Sequence, residues 1–379
     1  MIKIPFNKPA LTGNELRYIK DAVDSGKISG DGGFTKKCQE FLEKKFNAGK
    51  VLLTTSGTGA LEMSALLIDI QPGDEVIMPS YTFVSTANAF ILRGAKPVFI
   101  DIREDTLNLD EKLIEEKITD RTRAIIPVHY AGVSCELDTI MDIARKRNFW
   151  IVEDAAQGIT SRYKDKYLGT VGDLGAFSFH ETKNVICGEG GALLVNNEDL
   201  RERAEIIWEK GTNRKKFFRG EVDKYTWIDI GSSYLMSDVL AAYLYAQLEN
   251  LEKIQNKRKE IYNYYIQNLQ ELEREGKIRL PVVPEDCETN YHLFYILLPD
   301  REKRDSLLRR LRAAGIHAVF HYVPLHVSPM GERFGYRPGD LPLTESLSER
   351  LIRLPLFYDL SLDEAEFIIA MVKKHINRS

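Results

Sequence analysis

The chain has 379 residues, which is enough for two domains or for one large domain with an appendage. Hydrophobic residues make up 44% of the sequence and charged residues 28%, a balance that excludes collagen-like, coiled-coil and disordered proteins. The 52 basic and 56 acidic side chains give a net charge of −4, whereas a protein that binds nucleic acid through its overall charge carries a basic excess. Nucleic acid is therefore not an expected partner.

The cysteines and the N-terminal residues indicate the compartment. The four cysteines lie far apart and form no CxxC pair, which favours reduced thiols over a zinc site or a disulfide framework. They are Cys38, Cys135, Cys187 and Cys287. The N-terminal residues MIKIPFNKPALTGNEL contain no apolar core of a signal peptide, and no run of about 18 apolar residues occurs. The sequence predicts a soluble, cytoplasmic protein without a membrane partner.

Short apolar runs alternate with amphipathic stretches between residues 50 and 210. Seven runs are predicted to be strands: residues 51–54, 75–79, 97–102, 124–129, 150–154, 175–180 and 191–196. Helical patterns lie between several of them, at 137–147 and 199–210. Continuous apolar strands that alternate with helices predict an α/β domain around a largely parallel, buried sheet.

The pattern changes after residue 234. Helices are predicted for residues 236–274, for the basic stretch 301–314, and from Asp363 towards the C-terminus. Strands are predicted for residues 291–298 and 318–323. Strands and helices that do not alternate regularly indicate a smaller α+β domain. We place the division between a large α/β domain, residues 1–250 with the N-terminal segment, and a small C-terminal domain, residues 251–379.

Ligands of open α/β sheets bind beyond the carboxyl ends of the strands, so candidate binding residues are those that follow the predicted strands. After the first strand, TSGTGAL begins a helix with small and hydroxyl residues, which suits a phosphate monoester but is equally typical of an ordinary capped helix. It lacks the Gly-Lys-Ser/Thr ending of a P-loop. After the second strand, PSYTFVST carries aromatic residues that could stack on a planar ring.

Two carboxylates and a lysine follow later strands. Strand alternation sends Glu153 and Asp154 to opposite sides, and a buried carboxylate requires a cation or hydrogen bonds. Lys183 lies in a turn between two predicted strands, and the glycines of GEGG follow it. An amine with a lowered pKa at such a position can form a Schiff base. A phosphate turn, a stacking aromatic, an acid for a ring nitrogen and a lysine for an aldehyde together indicate pyridoxal 5′-phosphate.

The motifs SGTGAL, GDEVIMPSYTFVST, GAKPVFIDI, VHYAG, EDAAQ, FSFHETKN and GEGGALLV occur in this order along the chain. In these motifs the sequence resembles the sugar-nucleotide aminotransferases of the DegT/StrS type over nearly its whole length. The resemblance implies an aspartate-aminotransferase-like fold (type I), a homodimer with composite active sites, and pyridoxal 5′-phosphate as the cofactor. It also implies a keto-sugar nucleotide as the substrate and glutamate as the usual amino donor.

The resemblance also implies roles for individual residues. Lys183 matches the lysine that forms the Schiff base, and Asp154 matches the partner of the pyridine nitrogen. Phe83 matches the aromatic residue that stacks on the cofactor ring. Gly57, Thr58 and Ser178 match positions that bind the phosphate. Gln157 matches the neighbour of the ring oxygen, and His180 matches a position beside the cofactor. The chain departs from the family in the segment 232–235, where Ser233 replaces an asparagine that reaches the partner subunit's phosphate and Leu235 replaces an arginine.

Substrate-binding residues are predicted less sharply. Residues 210–224 hold six basic and two acidic side chains, Arg219 among them, and this stretch is either a diphosphate-binding patch or a solvated loop. The segment HYVPLH contains His321 and His326, which are too poor in nearby carboxylates for a metal site and are structural by default. The resemblance favours a substrate contact for His326. No metal is expected.

Several other functions remain open from the sequence. A related dehydratase carries histidine in place of the Schiff-base lysine, so the presence of Lys183 disfavours it. The amine could be placed on another keto-sugar nucleotide, at C3 or equatorially at C4, or on the keto acid of a free amino acid. A regulator that only binds the cofactor or DNA is disfavoured by the acidic composition.

Overall fold

The computed structural model describes residues 3–377, and a seven-stranded sheet forms the centre of the fold. The strand order is β1-β9-β8-β5-β4-β2-β3. These strands are β1 Val51–Thr54, β2 Glu75–Pro79, β3 Lys96–Ile100, β4 Thr122–Ile125, β5 Trp150–Asp154, β8 Leu174–Ser178 and β9 Gly191–Val195. A small three-stranded sheet comprises β6 Arg162–Tyr163, β7 Lys166–Tyr167 and β10 Cys287–Glu288, and a two-stranded sheet comprises β11 Phe294–Leu297 and β12 Leu351–Leu354.

The central sheet is parallel except for β9, which pairs antiparallel with both β1 and β8. Strands β1 and β2 are buried along their whole length, as expected for a sheet that is covered on both faces. The predicted α/β class with a mostly parallel sheet is confirmed. The carboxyl ends of β1, β2, β5 and β8 lie at one edge of the sheet, because these four strands run in the same direction.

Thirteen α-helices occur in residues 3–377. They are α1 Glu15–Asp24, α2 Gly33–Phe46, α3 Gly57–Leu67, α4 Val84–Ile91, α5 Leu137–Arg147, α6 Arg201–Trp208, α7 Arg214–Phe218, α8 Asp238–Glu249, α9 Leu251–Arg274, α10 Arg301–Ala313, α11 Pro329–Arg333, α12 Pro342–Arg350 and α13 Leu362–Ile376. Alternate strand residues bury on opposite faces. Leu52 and Val152 pack with α3, α4 and α6 on one face. Leu53 packs with α2 and α8 on the other face, and Ile151 packs with α5 there.

A second hydrophobic core forms around the two-stranded sheet. Strands β11 and β12 pack against α9, α10 and α13, and this core includes Ile4 from the N-terminal segment. The terminal helix α13 begins with a capping box in which Ser361 and Glu364 exchange hydrogen bonds. Residue 250, the predicted domain division, lies between α8 and α9. The division itself stays a prediction.

The structure corrects several element predictions. Residues 318–323 do not form a strand: only Val319 bridges to Arg353, and the chain then bends so that His321 and Tyr322 line a cavity. Strand β12 and the short strands β6, β7 and β10 were not predicted. The predicted strand 291–298 is limited to β11, and the predicted helix 199–210 to α6, which a short 3₁₀ turn precedes.

Two further observations concern the membrane and the thiols. Within residues 3–377 no helix is both long enough and apolar enough to span a bilayer. All four cysteines are free thiols; three are buried and Cys287 is half-buried.

Candidate active site

A cavity of about 830 Å³ opens at the carboxyl ends of β1, β2, β5 and β8. Segments of the C-terminal part of the chain close its opposite side, including residues 317–323 and Arg353. Eight of the residues that the sequence predicts for the site line this one cavity: Gly57, Thr58, Phe83, Asp154, Gln157, Ser178, His180 and Lys183. Strand ends that are far apart in the sequence therefore meet here, as the topology of a parallel sheet requires.

The first turn of α3 forms one end of the cavity. The Ser56 side chain caps the helix by accepting a hydrogen bond from the backbone N–H of Gly59 at 3.0 Å, and the hydroxyls of Thr58 and Ser85 are 2.7 Å apart. A Cβ on Gly57 would lie 3.0 Å from the Ser178 Cβ, so glycine lets the helix start approach the end of β8. Free N–H groups at a helix start, together with hydroxyls, suit a phosphate group.

Asp154 lies at the end of β5 with its carboxylate held in place. Its Oδ2 accepts a hydrogen bond from Thr86 Oγ1 at 2.7 Å, and its Oδ1 accepts one from the backbone N–H of Ala156 at 3.2 Å. The side chain is buried, and within residues 3–377 no basic group lies at salt-bridge distance from it. A fixed carboxylate without a cationic partner can hold a protonated ring nitrogen in the cavity.

Glu153 points away from the cavity, as strand alternation predicts. Its carboxylate is fully buried and accepts hydrogen bonds from His129 Nε2 at 2.9 Å and from three backbone N–H groups of the segment 169–172. Burial alone would raise the pKa of Glu153, but these hydrogen bonds outweigh burial and hold the pKa below its usual value. Glu153 therefore fixes the segment between β7 and β8 and takes no part in the cavity.

Lys183 lies in the turn between β8 and β9, and its backbone N–H donates to the His180 carbonyl at 2.9 Å. Its amino group lies within the protein and has no salt bridge in the part of the chain described. Burial lowers the pKa of Lys183 to about 8; the attraction of Asp154 opposes this shift and Arg353 adds to it. An amine with such a pKa is partly unprotonated near neutral pH, which is the form that attacks an aldehyde.

Three other predicted residues surround the centre of the cavity. Gln157 accepts a hydrogen bond from the backbone N–H of Ala131 at 2.8 Å and donates one to the Tyr322 hydroxyl at 2.9 Å. Phe83 lies just before α4, is 56% exposed, and its ring centre is 6.2 Å from that of Tyr322. His180 is half-buried, with Nδ1 2.9 Å from the Thr182 hydroxyl. An exposed aromatic ring at a cavity is suited to stacking on a planar ligand.

The structure does not bring three predicted residues to this cavity. Ser233 is exposed and pairs with Glu209 through a backbone bridge. His326 is fully buried, and its two ring nitrogens bond Ser80 and Glu345, so neither nitrogen is free for a ligand. Arg219 forms salt bridges with Glu205 and Glu221. Within this chain these three residues are separate from the site, and their predicted roles have no support from its geometry.

Most of the basic stretch 210–224 is neutralised within the chain. Arg214 pairs with Glu209 at 2.7 Å and Lys215 with Asp31 at 2.8 Å, and Lys216 pairs with Glu202. The structure thus favours a paired surface over a free diphosphate patch. The acidic partners come from α6, from the residue that follows it, and from the loop before α2, which the composition of the stretch alone does not indicate.

Four cavity residues were missed or passed over in the sequence. Arg353 has no carboxylate partner within residues 3–377; its guanidinium donates to the Phe320 carbonyl and lies 4.6 Å from the centre of the Phe6 ring. His292, His321 and Tyr322 also line the cavity. Arg353 carried a usable signal, since an arginine interrupts an otherwise apolar strand; the other three reach the cavity only through the packing of the C-terminal part.

These residues fit pyridoxal 5′-phosphate. The start of α3 suits the phosphate, and Asp154 suits the ring nitrogen. Phe83 can stack on the ring face, and Lys183 can attack the aldehyde carbon. The fold and the site together define an aminotransferase of the aspartate-aminotransferase type.

Comparison with known proteins gives the family. Residues 9–373 match the DegT/DnrJ/EryC1/StrS aminotransferase family. The chain is 33% identical over 383 residues to the spore coat polysaccharide biosynthesis protein SpsC of Bacillus subtilis, covering 98% of this chain and 96% of SpsC. It is 32% identical over 375 residues to GDP-perosamine synthase of Escherichia coli O157:H7, covering 98% of each.

Solved structures agree with this comparison. Spr1654 of Streptococcus pneumoniae, described as a sugar aminotransferase, superposes with a TM-score of 0.91 in its PLP form, at 28% identity over 99% of both chains. Its PMP form gives a TM-score of 0.93 at 28% identity, covering 99% of this chain and 100% of that one. The chain belongs to the DegT/DnrJ/EryC1/StrS family; it is an aminotransferase, and its cofactor is pyridoxal 5′-phosphate.

Proposed function

We propose that this protein transfers the amino group of an amino acid to the ketone of a keto-sugar nucleotide. More closely, we propose that it converts a dTDP-4-keto-6-deoxyhexose to the 4-amino-4,6-dideoxy sugar nucleotide of galacto configuration, with L-glutamate as the donor. The segments FSFHETKN, FFRGEVDKYTW and GSSYLMSD support the finer statement, because they resemble dTDP-4-amino-4,6-dideoxygalactose transaminase. The single observation that carries the reaction class is the meeting of Lys183 and Asp154 in one cavity.

The two residues have distinct tasks in this proposal. Pyridoxal 5′-phosphate, when bound, supplies the electron sink for the bond that breaks at the α-carbon of the donor. Asp154, held by Thr86, keeps a proton on the ring nitrogen. Lys183, once its amine is free, takes the proton from the α-carbon and returns it, a role that suits a pKa of about 8. The same amine serves the return transfer to the sugar ketone, so ping-pong kinetics are expected.

Arg353 supports an amino acid as the donor. The start of α3 binds the phosphate of the cofactor, and Asp154 pairs with the ring nitrogen. Lys183 is assigned to the aldehyde carbon, so Arg353 is the remaining cationic side chain of the cavity without a carboxylate partner within residues 3–377. Its guanidinium fork matches the two oxygens of a carboxylate. We therefore assign it to a carboxylate of the donor.

The proposal includes a homodimer with composite sites. Residues 217–230 expose several large apolar side chains, among them Phe218 at 65%, Trp227 at 78% and Ile228 at 50%. Exposed apolar groups this close together are typical of a protein interface. In this proposal Ser233, which follows this segment and lies outside its own cavity, contacts the cofactor phosphate of a second copy. Light scattering tests the homodimer. We expect the wild-type protein to be a dimer and Trp227→Glu to be a monomer, whereas a monomeric wild-type protein contradicts the proposal.

The reaction is tested with purified protein that is loaded with pyridoxal 5′-phosphate and given L-glutamate. Keto-sugar nucleotides that carry dTDP or GDP are then supplied in turn, and the product is identified by NMR. Formation of an axial 4-amino sugar on dTDP supports the full proposal. Product only from a GDP sugar, or an amine at C3 or equatorial at C4, contradicts its finer part. Turnover with keto acids alone, and none with any sugar, contradicts the sugar substrate altogether.

A further inference from the structure

Two buried imidazoles line the cavity and are not used by the transfer described above. His292 and His321 each bond the protein through Nδ1, His292 to Asn184 at 2.9 Å and His321 to the Tyr130 hydroxyl at 2.7 Å. Neither Nε2 has a hydrogen-bond partner within residues 3–377, and neither is among the fully buried polar atoms that lack one. Since both residues line the cavity, both Nε2 atoms are accessible from it.

The surroundings of His292 fix its tautomer. Asn184 donates through Nδ2 to the Asn290 carbonyl at 2.8 Å and to Gln255 Oε1 at 3.1 Å, so its Oδ1 is the acceptor that faces His292. His292 must therefore carry its proton on Nδ1. Its Nε2 then presents a lone pair to the cavity. Arg258 holds the ring in place by donating to the backbone carbonyls of Tyr291 and His292.

The surroundings of His321 accommodate either neutral tautomer. Nδ1 of His321 bonds the buried Tyr130 hydroxyl at 2.7 Å, and the hydroxyl of the neighbouring Tyr81 also interacts with Tyr130. The Tyr130 hydroxyl can therefore donate to Nδ1, or it can accept from Nδ1 and turn its own hydrogen towards Tyr81. In both arrangements Nε2 of His321 is the hydrogen-bonding atom that faces the cavity. Stacking on Tyr322, with ring centres 3.7 Å apart, holds this ring as well.

The surroundings of both rings disfavour their charged form. Burial lowers the pKa of His292 far below its usual value, and Lys183, Arg258 and Arg353 lower it further. Burial, Arg353, His292 and Lys183 do the same to the pKa of His321. Two neutral imidazole nitrogens do not match the ammonium and carboxylates of an amino acid as well as charged groups do. They match a hydroxyl, which donates one hydrogen bond and accepts others.

We infer that His292 and His321 bind hydroxyl groups of the acceptor sugar through Nε2, with His292 as the hydrogen-bond acceptor. They are thus specificity-determining residues for the sugar half of the reaction and not for the donor half. The inference rests on the proposed function. A site built from fixed donors and acceptors rejects substrates that lack the matching hydroxyl, because its own groups are then left unpaired.

The test uses His292→Asn and His321→Asn in the full-length holoenzyme. The amide of asparagine can occupy the place of Nδ1 and keep the bond to Asn184 or to Tyr130, while the cavity-facing nitrogen is lost. His292→Gln is the matched control, because its amide reaches the place of Nε2. Cofactor content, the single-turnover rate with L-glutamate, and the single-turnover rate of the amine-loaded enzyme with the keto-sugar nucleotide are measured separately.

We expect the kcat/KM of the sugar half to fall about 10- to 100-fold in either asparagine variant, with the donor half within about 3-fold of wild type. His292→Gln should retain more of the sugar half than His292→Asn. Equal losses in both halves, loss of cofactor, or an unchanged sugar half overturns the inference. A wild-type enzyme that reacts with L-glutamate but with no keto sugar refutes the proposed function instead, which separates the two failures.

A keto-sugar nucleotide that lacks one ring hydroxyl gives a second readout. If a histidine binds that hydroxyl, wild type and the corresponding asparagine variant should use this analogue at rates within about 3-fold of each other. The opposite result is that the variant is slower than wild type by the same factor with every analogue. That result contradicts hydroxyl binding, because the substitution and the loss of a hydroxyl would then have independent effects.

Discussion

Glu153 and Asp154 are neighbours on β5, yet their carboxylates lie on opposite faces of the sheet and share no hydrogen-bond partner. The first bonds His129 and the segment 169–172, and the second bonds Thr86 and faces the cavity. Strand periodicity thus turns one dipeptide into a structural acid and a site acid. Neutralising Glu153 should therefore lower the stability of the fold, whereas neutralising Asp154 should lower the activity.

Glu153→Gln should lower the free energy of unfolding by about 3 kcal/mol, because an amide N–H₂ would then face N–H donors in a fully buried place. Denaturant unfolding of the cofactor-free protein measures this. The pH dependence gives a check on sign: the folded pKa of Glu153 is lowered, so its contribution to stability is present above about pH 4.5 and is lost as the pH falls further. The variant should lack that loss; unchanged stability would contradict the structural role.

Asp154→Asn should keep the cofactor but reduce turnover by about 100-fold or more, because the ring nitrogen loses the carboxylate that holds its proton. Single-turnover rates with L-glutamate measure the effect. Thr86→Val is the matched control, since it removes one hydrogen bond to Asp154 at 2.7 Å and leaves the charge. It should cost about 10-fold at most. Wild-type rates in Asp154→Asn would refute its role.

The rate of covalent attachment of added pyridoxal 5′-phosphate to the cofactor-free protein should rise with pH and level off above about pH 8. The unprotonated amine of Lys183 is the reacting form, and burial lowers its pKa from the usual value of a lysine to about 8. Below this pH the rate should fall about tenfold per pH unit. Stopped-flow absorbance measures the midpoint, and a midpoint near 10 would show that the amine is solvated and not activated by burial.

Arg353→Gln should weaken the apparent affinity for L-glutamate about 10- to 100-fold, because a charge-assisted hydrogen bond to a carboxylate is lost. The reaction of the amine-loaded enzyme with the keto sugar should change little. Arg353→Lys keeps the positive charge but loses the paired donors of the guanidinium group. Its apparent affinity for L-glutamate should lie between those of wild type and Arg353→Gln. A simple alkylamine donor, which carries no carboxylate, should not distinguish wild type from Arg353→Gln. Equal losses with both half-substrates would contradict a donor-specific role.

Much of the large α/β part could be predicted from the sequence, because its strands are continuous apolar runs with clear ends. The predicted bounds of β1, β2 and β5 are those of the structure. The meeting of Lys183 with the first turn of α3 also follows from the sequence, since parallel strands bring their carboxyl ends to one edge. The presence of pyridoxal 5′-phosphate follows from the same ordered set of residues.

The C-terminal wall of the site could not be predicted in the same way. Residues 318–323 are a strand-like run of mostly apolar and aromatic residues, but they form one bridge and then bend, so the pattern gives the wrong element. His292 reaches the cavity because Asn184 and Arg258, which are distant in the chain, hold it there. Such contacts depend on packing between elements and leave no periodic signal. The pairing of Lys215 with Asp31 is hidden from composition for the same reason.

The most direct test of the central claim is the absorption spectrum of the purified protein with pyridoxal 5′-phosphate, before and after L-glutamate, with Lys183→Ala alongside. We expect a wild-type band at about 410–420 nm that L-glutamate moves towards about 330 nm, and a Lys183→Ala protein that retains some cofactor but does not turn over. A wild-type protein with no visible band after addition of the cofactor, or a Lys183→Ala protein with wild-type turnover, would contradict it.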